Sequence, residues 1–317
     1  MLSEAEIQRF HDEGYLVVDN VVDREAVLAP LVAEYEALLA QLREQWVADG
    51  DLAADAPGVT FQEQVSSAYA AGLDYFQPLD ISLPGGAISA DTPFHAGPAA
   101  FDLLTAPSLL DAVEGLIGPE ITSNPIQHVR IKPPAVELAA DEIRAHVTAT
   151  DWHQDRAVTL EEADATRMVT VWIAVTDATV ENGCLQVIPG SHRGEMMPHC
   201  PNPQVGIPAK LLAGAEAKPL PVPSGGAIFF HPLTVHGSLA NVSDGVRWSF
   251  DLRYNVTGDP TGRPMFPEFV ARSRRAPETE LRDAAAWRAM WEAARTRLAA
   301  SGQATIHRWS PDAAHCA

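Results

Sequence analysis

The stretch Asp151-Trp152-His153-Gln154-Asp155 places a histidine and an aspartate two positions apart. In an extended segment, residues i and i+2 project to the same side, so the side chains of His153 and Asp155 can converge on one metal ion. Gln154 points the other way in such a segment, and its position is equally consistent with a structural role and with a substrate contact. Chance alone supplies about one His-x-Asp pair in a chain of this composition, so the pair needs support from elsewhere in the sequence.

A further histidine downstream gives that support. Two imidazoles and one carboxylate make the facial triad that is typical of non-haem iron(II) oxygenases, in which open coordination positions remain for substrate and oxygen. His231 and His236 both follow a predicted strand at 227–230. The residues themselves leave either histidine as the third ligand of the predicted iron site.

An arginine and a serine on the next predicted strand add a possible anion site. Arg247 and Ser249 are two apart, which puts both side chains on one strand face, opposite Trp248 and Phe250. A guanidinium matches the shape of a carboxylate, and a serine hydroxyl can add a further hydrogen bond. Taken alone, this strand is better interpreted as a solvated face, with Arg247 and Asp251 as surface charges.

Composition limits the classes of protein to which the chain can belong. Its 317 residues are 46% hydrophobic and 20% charged, which is ordinary for a folded globular protein and excludes wholesale disorder. The formal net charge of −20 argues against nucleic-acid and anionic-membrane partners, because phosphate binding requires clustered lysine and arginine. A small-molecule substrate is the expected partner, and the sequence does not define an oligomeric state.

The cysteines and the N-terminal segment bear on the cellular compartment. Cys184, Cys200 and Cys316 are widely spaced and contain no C-x-x-C pair, which predicts reduced thiols and neither a disulfide framework nor a zinc knuckle. Residues 1–6 show no export signal, and no apolar run reaches the roughly 18 residues of a membrane span. These features predict a cytoplasmic protein.

The order of predicted elements indicates the fold class. Helical patterns dominate up to residue 120, with a capping box at Ser3 and Glu6 and a second cap at Asp23, and a further helix is expected at 278–300. Between them, β-rich runs alternate with Pro, Gly and Asn. The expected fold is mainly β with flanking helices: a double-stranded β-helix (jelly-roll or cupin-like) barrel buttressed by N- and C-terminal helices. The predicted strands are Tyr15–Val18, Ile121–Ser123, Ile126–Ile131, Met168–Thr176, Cys184–Ile188, Ala227–Phe230 and Val246–Tyr254.

One domain covers the whole of residues 1–317 in this interpretation. Residues 1–120 form the mostly helical support, 121–256 the barrel core with the metal site, and 257–317 a C-terminal extension with its helix. Long polar or proline-rich connections often form lids or binding loops. Segments 60–100, 133–150 and 195–220 are therefore expected to close over a substrate.

Several motifs together resemble the phytanoyl-CoA dioxygenase family of iron(II)- and 2-oxoglutarate-dependent oxygenases. The resemblance covers most of the chain and is most specific over 150–255; it is weakest over 48–100 and after about residue 257. The matching stretches are Trp152-His153-Gln154-Asp155, Glu181-Asn182-Gly183-Cys184-Leu185-Gln186-Val187-Ile188-Pro189-Gly190-Ser191-His192-Arg193, His236-Gly237-Ser238-Leu239-Ala240-Asn241-Val242-Ser243 and Arg247-Trp248-Ser249.

The resemblance implies a role for each matching residue. The distal histidine of the family precedes Gly-Ser, which favours His236 over His231, so the implied iron ligands are His153, Asp155 and His236. Arg247 would pair with the C5 carboxylate of 2-oxoglutarate. The implied helpers of co-substrate binding are Ser249, Thr170, Gln127 and Trp172, the last as a residue lining the same cavity.

The implied activity is a dioxygenase that uses Fe(II), 2-oxoglutarate and O2 and releases succinate and CO2. Hydroxylation of a C–H bond in a small organic molecule is the expected outcome, with natural-product or secondary metabolism as a setting. Because the carboxylate ligand Asp155 is present where a halogenase has Gly or Ala, the resemblance favours oxygenation over halogenation.

Two other classes of function are compatible with the same residues. A zinc hydrolase could use the His-Asp-His set, although no general base is placed beside it and Arg247 and Ser249 would then lack a purpose. A non-catalytic jelly-roll binding module could retain the fold without the chemistry. Zinc-dependent hydrolysis without 2-oxoglutarate turnover would favour the first, whereas decarboxylation of 2-oxoglutarate that is lost in His153→Ala would exclude the second.

Overall fold

The computed structural model describes residues 1–134, 149–201, 204–301, 306 and 308–316. Helices lie at both ends of this part of the chain, and strands occupy its middle. The helices are α1 (Glu4–Glu13), α2 (Ala29–Asp49), α3 (Phe61–Ala70), α4 (Phe76–Leu79), α5 (Pro98–Leu104), α6 (Pro107–Ile117) and α7 (Ala284–Ser301).

Two sheets carry the middle of the chain, and the larger has six strands. Its strands are β1 (Tyr15–Val18), β2 (Glu120–Lys132), β3 (Met168–Ala174), β8 (Ala227–Phe230), β10 (Arg247–Val256) and β11 (Phe269–Ser273). The order across the sheet is β1-β8-β3-β10-β2-β11. The central strand β10 pairs antiparallel with β2 on one side and with β3 on the other.

The smaller sheet has three antiparallel strands in the order β7-β4-β9. These are β7 (Lys218–Leu220), β4 (Leu185–Val187) and β9 (His236–Ser238). A separate two-stranded ribbon pairs β5 (Cys200–Pro201) with β6 (Val205–Gly206).

Alternation along the strands gives the large sheet two different faces. One face packs on the helices in a large apolar core that also includes Trp287 and Trp291 of α7. The other face meets the small sheet in a second, smaller core that includes Trp172 and Phe230. In β10, the side chains of the helix-facing core are Trp248, Phe250, Leu252 and Tyr254, and the alternate residues are Arg247, Ser249, Asp251 and Arg253. The structure is therefore mostly β with flanking helices, as expected.

Several local predictions are confirmed. The capping box between Ser3 and Glu6 begins α1, and Asp23 caps a π-helical turn that leads into α2. The predicted strand pieces 121–123 and 126–131 are one strand, β2, with a register shift opposite residues 251–253. Strands β5, β6, β7, β9 and β11 lie outside the predicted set, because four of them are only two or three residues long and none shows a clear apolar alternation. No helix in the described ranges is long and apolar enough to cross a membrane.

The prediction of reduced cysteines is wrong for two of the three. Cys200 in β5 and Cys316 near the C-terminus form a disulfide across 116 residues of sequence, while Cys184 is free and buried. The sequence separation carries no information on pairing, because contact between the two cysteines depends on how the C-terminal segment folds back. The disulfide also removes cysteine usage as an argument for a cytoplasmic location.

Candidate metal centre and co-substrate site

Backbone pairing places the two candidate histidine ligands side by side. The N–H of His153 donates to the carbonyl of His236 at 2.9 Å, and the N–H of His236 donates back at 3.0 Å, so the segment before Asp155 extends the edge of β9. The two imidazole rings consequently lie with centroids 4.3 Å apart. Phe230 stacks on the other side of the His236 ring at 4.5 Å and fixes its plane.

A glycine makes this close pairing possible. A Cβ atom added to Gly237 would lie 2.9 Å from the carbonyl oxygen of Thr150 and 3.4 Å from the backbone nitrogen of Trp152. Any side chain there would push residues 150–155, the ligand segment, away from β9. The Gly that follows His236 in the family motif therefore has a steric reason in this structure.

Asp155 completes the cluster from the same segment. Gln154 is extended, with φ −118° and ψ 135°, so His153 and Asp155 project to one side as predicted. The Nε2 atoms of His153 and His236 lie 3.8 Å and 3.7 Å from the two carboxylate oxygens of Asp155. The three ligand atoms are all within 4.8 Å of one another, a spacing that can hold one metal ion.

Hydrogen bonds fix which nitrogen of each histidine faces the cluster. Nδ1 of His153 is 2.8 Å from the carbonyl oxygen of Asp151, and Nδ1 of His236 is 3.0 Å from that of Thr234. A carbonyl accepts only from a protonated nitrogen, so Nδ1 carries the proton and Nε2 presents its lone pair. Burial, followed by the nearby His236, lowers the pKa of His153 to about 3, which keeps that ring neutral.

The carboxylate ligand has a cationic partner. Burial opposes the ionisation of Asp155, but Arg253 and then the two imidazoles outweigh it and hold the pKa of Asp155 below its usual range. Nη2 of Arg253 donates to Oδ1 of Asp155, whereas Oδ2 is buried without a hydrogen-bond partner among the described residues. An ionised oxygen with no hydrogen-bond donor, 3.7 Å from Nε2 of His236, has the properties expected of a metal ligand.

Arg247 lies on the same face of β10 and is a buried cation without a carboxylate. Its Nη1 donates to Ser249 Oγ at 2.7 Å, its guanidinium lies 5.2 Å from the ring centroid of Trp172, and its Nε has no acceptor in the described part of the chain. Burial, and next the charge of Arg130, lower the pKa of Arg247 to about 9, so it remains cationic at neutral pH. Among the described residues, no Asp or Glu pairs with it. An anionic ligand would compensate this charge.

The other sequence-predicted residues divide into two groups. Thr170 faces Arg253 across the β3–β10 ladder, and Trp172 lies beside Arg247, so both belong to the site face of the large sheet. Gln127 does not: its side chain donates to the carbonyl of Ile81 at 2.8 Å, in the layer of helices. The strand places neighbouring residues on opposite faces, and Gln127 has the parity of the core residue Val129.

Three cationic residues of the site lie outside the predicted set. Arg253 holds Asp155; Arg130 lies 3.8 Å from Asp251; and Nζ of Lys132 donates to Ser238 Oγ and the Leu239 carbonyl, both at 2.8 Å. Burial, with Arg247 and Arg130 nearby, lowers the pKa of Lys132 well below its ordinary value. For Arg253 the sequence does carry a signal, because the polar period-two pattern of β10 continues past Ser249.

Gln154 is structural. Its side-chain amide donates to the Leu233 carbonyl at 2.8 Å and accepts from the Met197 backbone N–H at 2.7 Å. Its own backbone N–H donates to Nε2 of His199 at 3.0 Å. The residue between the two ligands therefore joins the ligand segment to two neighbouring loops. His199 itself is fully buried.

A cavity of about 720 Å³ opens beside the centre. His153 and Arg130 line it from the site, and residues 82–86 and Phe266 line it from the surrounding segments. This volume lies in the range of roughly 300–1,000 Å³ that accommodates a whole small molecule. The centre therefore adjoins a space of substrate size.

A mainly β fold with a buried His-Asp-His cluster is the arrangement expected of mononuclear non-haem iron enzymes. The phytanoyl-CoA dioxygenase (PhyH) family matches residues 10–249, which is most of the chain. The chain belongs to this family. It is accordingly a 2-oxoglutarate-dependent non-haem iron dioxygenase, with Fe(II), 2-oxoglutarate and O2 as the cofactor and co-substrates of the family.

Two individual relatives match this chain in sequence over most of their length. The probable phytanoyl-CoA dioxygenase of Caenorhabditis elegans is 27% identical over 263 residues, which cover 79% of this chain and 74% of the relative. The phytanoyl-CoA dioxygenase domain-containing protein 1 of Danio rerio is 29% identical over 276 residues, covering 78% and 88% of the two chains.

Solved structures share the fold at lower identity. The non-haem monooxygenase ThoJ, in its apo form, superposes with a TM-score of 0.58 at 18% identity, covering 93% of this chain and 99% of that one. The epimerase SnoN, solved with Fe3+, α-ketoglutarate and a nogalamycin compound, superposes with a TM-score of 0.54 at 22% identity, covering 82% and 86%. At these identities the similarity supports the fold.

Proposed function

We propose that this chain hydroxylates a C–H bond of a small organic molecule, with His153, Asp155 and His236 as the iron ligands and Arg247 as the anchor of 2-oxoglutarate. The observation that carries the proposal is the convergence of one ligand atom each from His153, Asp155 and His236 within 4.8 Å of one another. Natural-product metabolism is the proposed setting, because small molecules of that kind fit a cavity of about 720 Å³.

The donor set fits iron(II). Two imidazoles and one carboxylate would hold one iron(II) and would leave coordination positions open for co-substrate and oxygen, as in oxygen-activating iron sites. When bound, iron(II) with 2-oxoglutarate and O2 supplies the oxidising power that decarboxylates the co-substrate to succinate and CO2 and oxidises a substrate C–H bond. The side chains of Asp155, His153 and His236 are only 1%, 12% and 7% exposed, so the protein shields the centre from bulk water.

Arg247 is proposed to bind the far carboxylate of the co-substrate. The guanidinium is buried, remains cationic, has an Nε without an acceptor and is held against Trp172 by Ser249. A carboxylate would pair with this guanidinium in a charge-assisted hydrogen bond and would offset its desolvation. Trp172 would form one wall of the subsite, and Thr170 would lie toward the Asp155 end.

We include Lys132 in this subsite as a residue that sequence reasoning missed. Lys132 lies directly opposite Arg247 in the β2–β10 ladder, and its ammonium group donates to Ser238 on the strand that carries His236. The buried guanidinium of Arg247 favours an anionic ligand, and 2-oxoglutarate is a dianion at neutral pH.

The architecture we propose for this chemistry is a double-stranded β-helix formed by the two facing sheets, within a single domain over 1–317. Support for one domain comes from the large core, which includes Phe10 of α1, Phe250 of β10 and Leu298 of α7. Segments 60–100 and 195–220 supply residues to the cavity wall and are the proposed lid. Most of the third expected lid segment, 133–150, lies outside the described residues.

The test is a measurement of 2-oxoglutarate turnover. Purified protein is incubated with iron(II), ascorbate, oxygen and 2-oxoglutarate, and succinate is quantified with and without a library of small organic acids, alcohols and amines. We expect succinate to form with iron and to be lost in His153→Ala and Asp155→Ala, and a substrate mass increase of one oxygen. Absence of succinate in the wild type, together with zinc-dependent hydrolysis, would overturn the proposal.

A further inference from the structure

We infer that the substrate is a free organic acid and that Arg263 binds its carboxylate. This inference rests on the proposed function, because it takes the cavity beside His153 as the substrate cavity. It adds what the metal centre does not determine, namely the charge of the substrate and the residue that recognises it. The anchor lies on the segment after β10, outside the motifs that define the centre.

Arg263 is a buried cation in the cavity wall. The residue is 4% exposed, and it lines the same cavity as His153. The hydrogen-bond acceptor of its guanidinium in the described ranges is the carbonyl of Gly262, 3.1 Å from Nη1. No Asp or Glu of those ranges forms an ion pair with it. A buried guanidinium without a carboxylate is costly unless a ligand supplies the negative charge.

Nearby charges do not compensate it. Burial, and next the repulsion from Arg253, lower the pKa of Arg263 to about 9, and Arg308 acts in the same direction. Glu162 acts in the opposite direction, with an effect smaller than that of Arg253. Arg263 is therefore still cationic at neutral pH. By contrast, two cavity residues of β2 have acidic partners: His128 contacts Asp80 at 2.8 Å, and Arg130 lies 3.8 Å from Asp251.

The backbone that carries Arg263 is held firmly. Gly262 has a φ of +73°, and a Cβ atom there would lie 2.6 Å from the Cβ of Thr159, so the turn is packed directly on the segment that follows Asp155. The Thr261 carbonyl accepts from Asn124 at 3.0 Å, and the Arg263 carbonyl accepts from the Phe266 N–H at 3.0 Å. A cation fixed in this way recognises a ligand without a large loss of conformational freedom.

The rest of the cavity indicates what the carboxylate is attached to. Much of its wall is apolar and belongs to several different segments of the chain, which suits a hydrocarbon or aromatic body. These residues include Phe76, Leu83, Ile126, Val158, Phe266 and Ile306.

The charge pattern also separates a free acid from its coenzyme A thioester. A thioester has no carboxylate for Arg263, and its phosphates need several unpaired cations at the cavity mouth. Arg263 is the cavity-lining Lys or Arg of the described ranges that has no acidic partner, and the whole chain has a net charge of −20. The free acid is therefore the form that matches this chain.

The experiment compares matched ligands and variants by calorimetric titration. The probes are decanoic acid and indole-3-butyric acid, the methyl ester of each, and decanoyl-CoA. The variants are Arg263→Met, Arg263→Lys and the control Arg282→Gln, whose arginine is 71% exposed. Thermal unfolding by circular dichroism reports on folding. We expect Arg263→Met to melt at or above the wild-type temperature, because it removes an uncompensated buried charge.

In the wild type, at least one acid should bind roughly 10- to 100-fold more tightly than its methyl ester, which is the range of a charge-assisted hydrogen bond. Arg263→Met should abolish that preference, Arg263→Lys should retain part of it, and Arg282→Gln should retain all of it. The inference falls if the wild type binds neither acid, binds acid and ester alike, or prefers decanoyl-CoA. It also falls if folded Arg263→Met keeps the preference.

Should Arg263→Met fail to fold, the acid-to-ester ratio of the wild type and of Arg263→Lys decides the question. Succinate formation by the wild type without added substrate is measured in parallel. Its absence would count against the proposed function, whereas a lost acid preference would count against Arg263 alone.

Discussion

Arg253 donates a hydrogen bond to Oδ1 of Asp155, and it does so from a strand 98 residues further along the chain. The same guanidinium donates to the Ile126 carbonyl at 3.2 Å and lies 3.7 Å from Asp251. Oδ1 of this candidate metal ligand is therefore held by the large sheet, while Oδ2 lies 3.7 Å from Nε2 of His236 and has no hydrogen-bond partner among the described residues. The geometry of the candidate centre thus depends on the position of β10 relative to the ligand segment.

Arg253→Gln should weaken metal binding. Residues that hold a metal ligand typically contribute 10- to 100-fold to metal affinity or activity, roughly, and loss of the cation also raises the proton affinity of Asp155. Calorimetric titration with Mn(II) measures the effect. Arg272→Gln is the matched control, because Arg272 is likewise a buried arginine with acidic partners, Asp111 and Glu114, but on β11. Equal losses of Mn(II) affinity in both variants would show that the effect is a general loss of stability.

Arg247→Met should raise the KM for 2-oxoglutarate. A hydrogen bond to a charged group contributes about 1.5–3 kcal/mol, which corresponds to a roughly 10- to 150-fold increase. Ser249→Ala removes one neutral contact to the guanidinium and should have a smaller effect, about 2- to 10-fold. Steady-state succinate formation gives both values. A KM for 2-oxoglutarate that is unchanged in Arg247→Met would refute the assignment of the subsite.

His199 should make the metal-free protein less stable in mild acid. Burial lowers its pKa to about 4, with Nε2 accepting the Gln154 N–H, whereas an unfolded histidine titrates near 6.5. Below pH 6.5 the unfolded chain therefore binds a proton that the folded chain resists. The free energy of unfolding falls as the pH drops from 6.5 to about 4, by up to about 3 kcal/mol.

Urea unfolding across this pH range tests that expectation. His199→Asn removes the titrating group, so its stability should be lower at neutral pH but should change less as the pH falls. The exposed His11, replaced by Asn, is the control and should follow the wild-type curve. Parallel curves for wild type and His199→Asn would contradict the assigned role.

The Cys200–Cys316 disulfide should stabilise the fold. It closes a long loop, and removal of such a crosslink typically costs about 2–4 kcal/mol. Cys316→Ser should therefore unfold at lower urea concentration than the oxidised wild type, and a reducing agent should bring the wild type to the same value. Thiol labelling of the denatured, unreduced protein should modify Cys184 alone. Modification of all three cysteines would contradict the disulfide.

The part of the site that could be predicted is the part encoded locally. His153 and Asp155 follow from the spacing on an extended segment, and Arg247 with Ser249 follows from strand parity. His236 required the family motif, because His231 has the same sequence context. The geometry separates them: the backbone of His236 pairs with that of His153, whereas His231 lies before the turn.

The part that could not be predicted depends on contacts between distant segments. Arg253 contacts Asp155 only because β10 runs beside the ligand segment. The disulfide partner of Cys200 lies 116 residues further along the chain. The resemblance to the family implied a co-substrate contact for Gln127, but its side chain lies on the helix-facing side of β2. A shift of one residue along a strand exchanges the two faces. The face that looks toward the site carries His128 and Arg130.

The central claim is that His153, Asp155 and His236 hold one iron(II), to which 2-oxoglutarate binds with its far carboxylate on Arg247. Anaerobic addition of 2-oxoglutarate to the iron-loaded protein, followed by visible absorption, tests it most directly, since chelation of iron(II) by the oxo-acid produces a charge-transfer band. The claim predicts a band that saturates at one iron per chain, requires more 2-oxoglutarate in Arg247→Met, and is absent in His236→Ala. A wild type without the band, or an identical band in both variants, would contradict it.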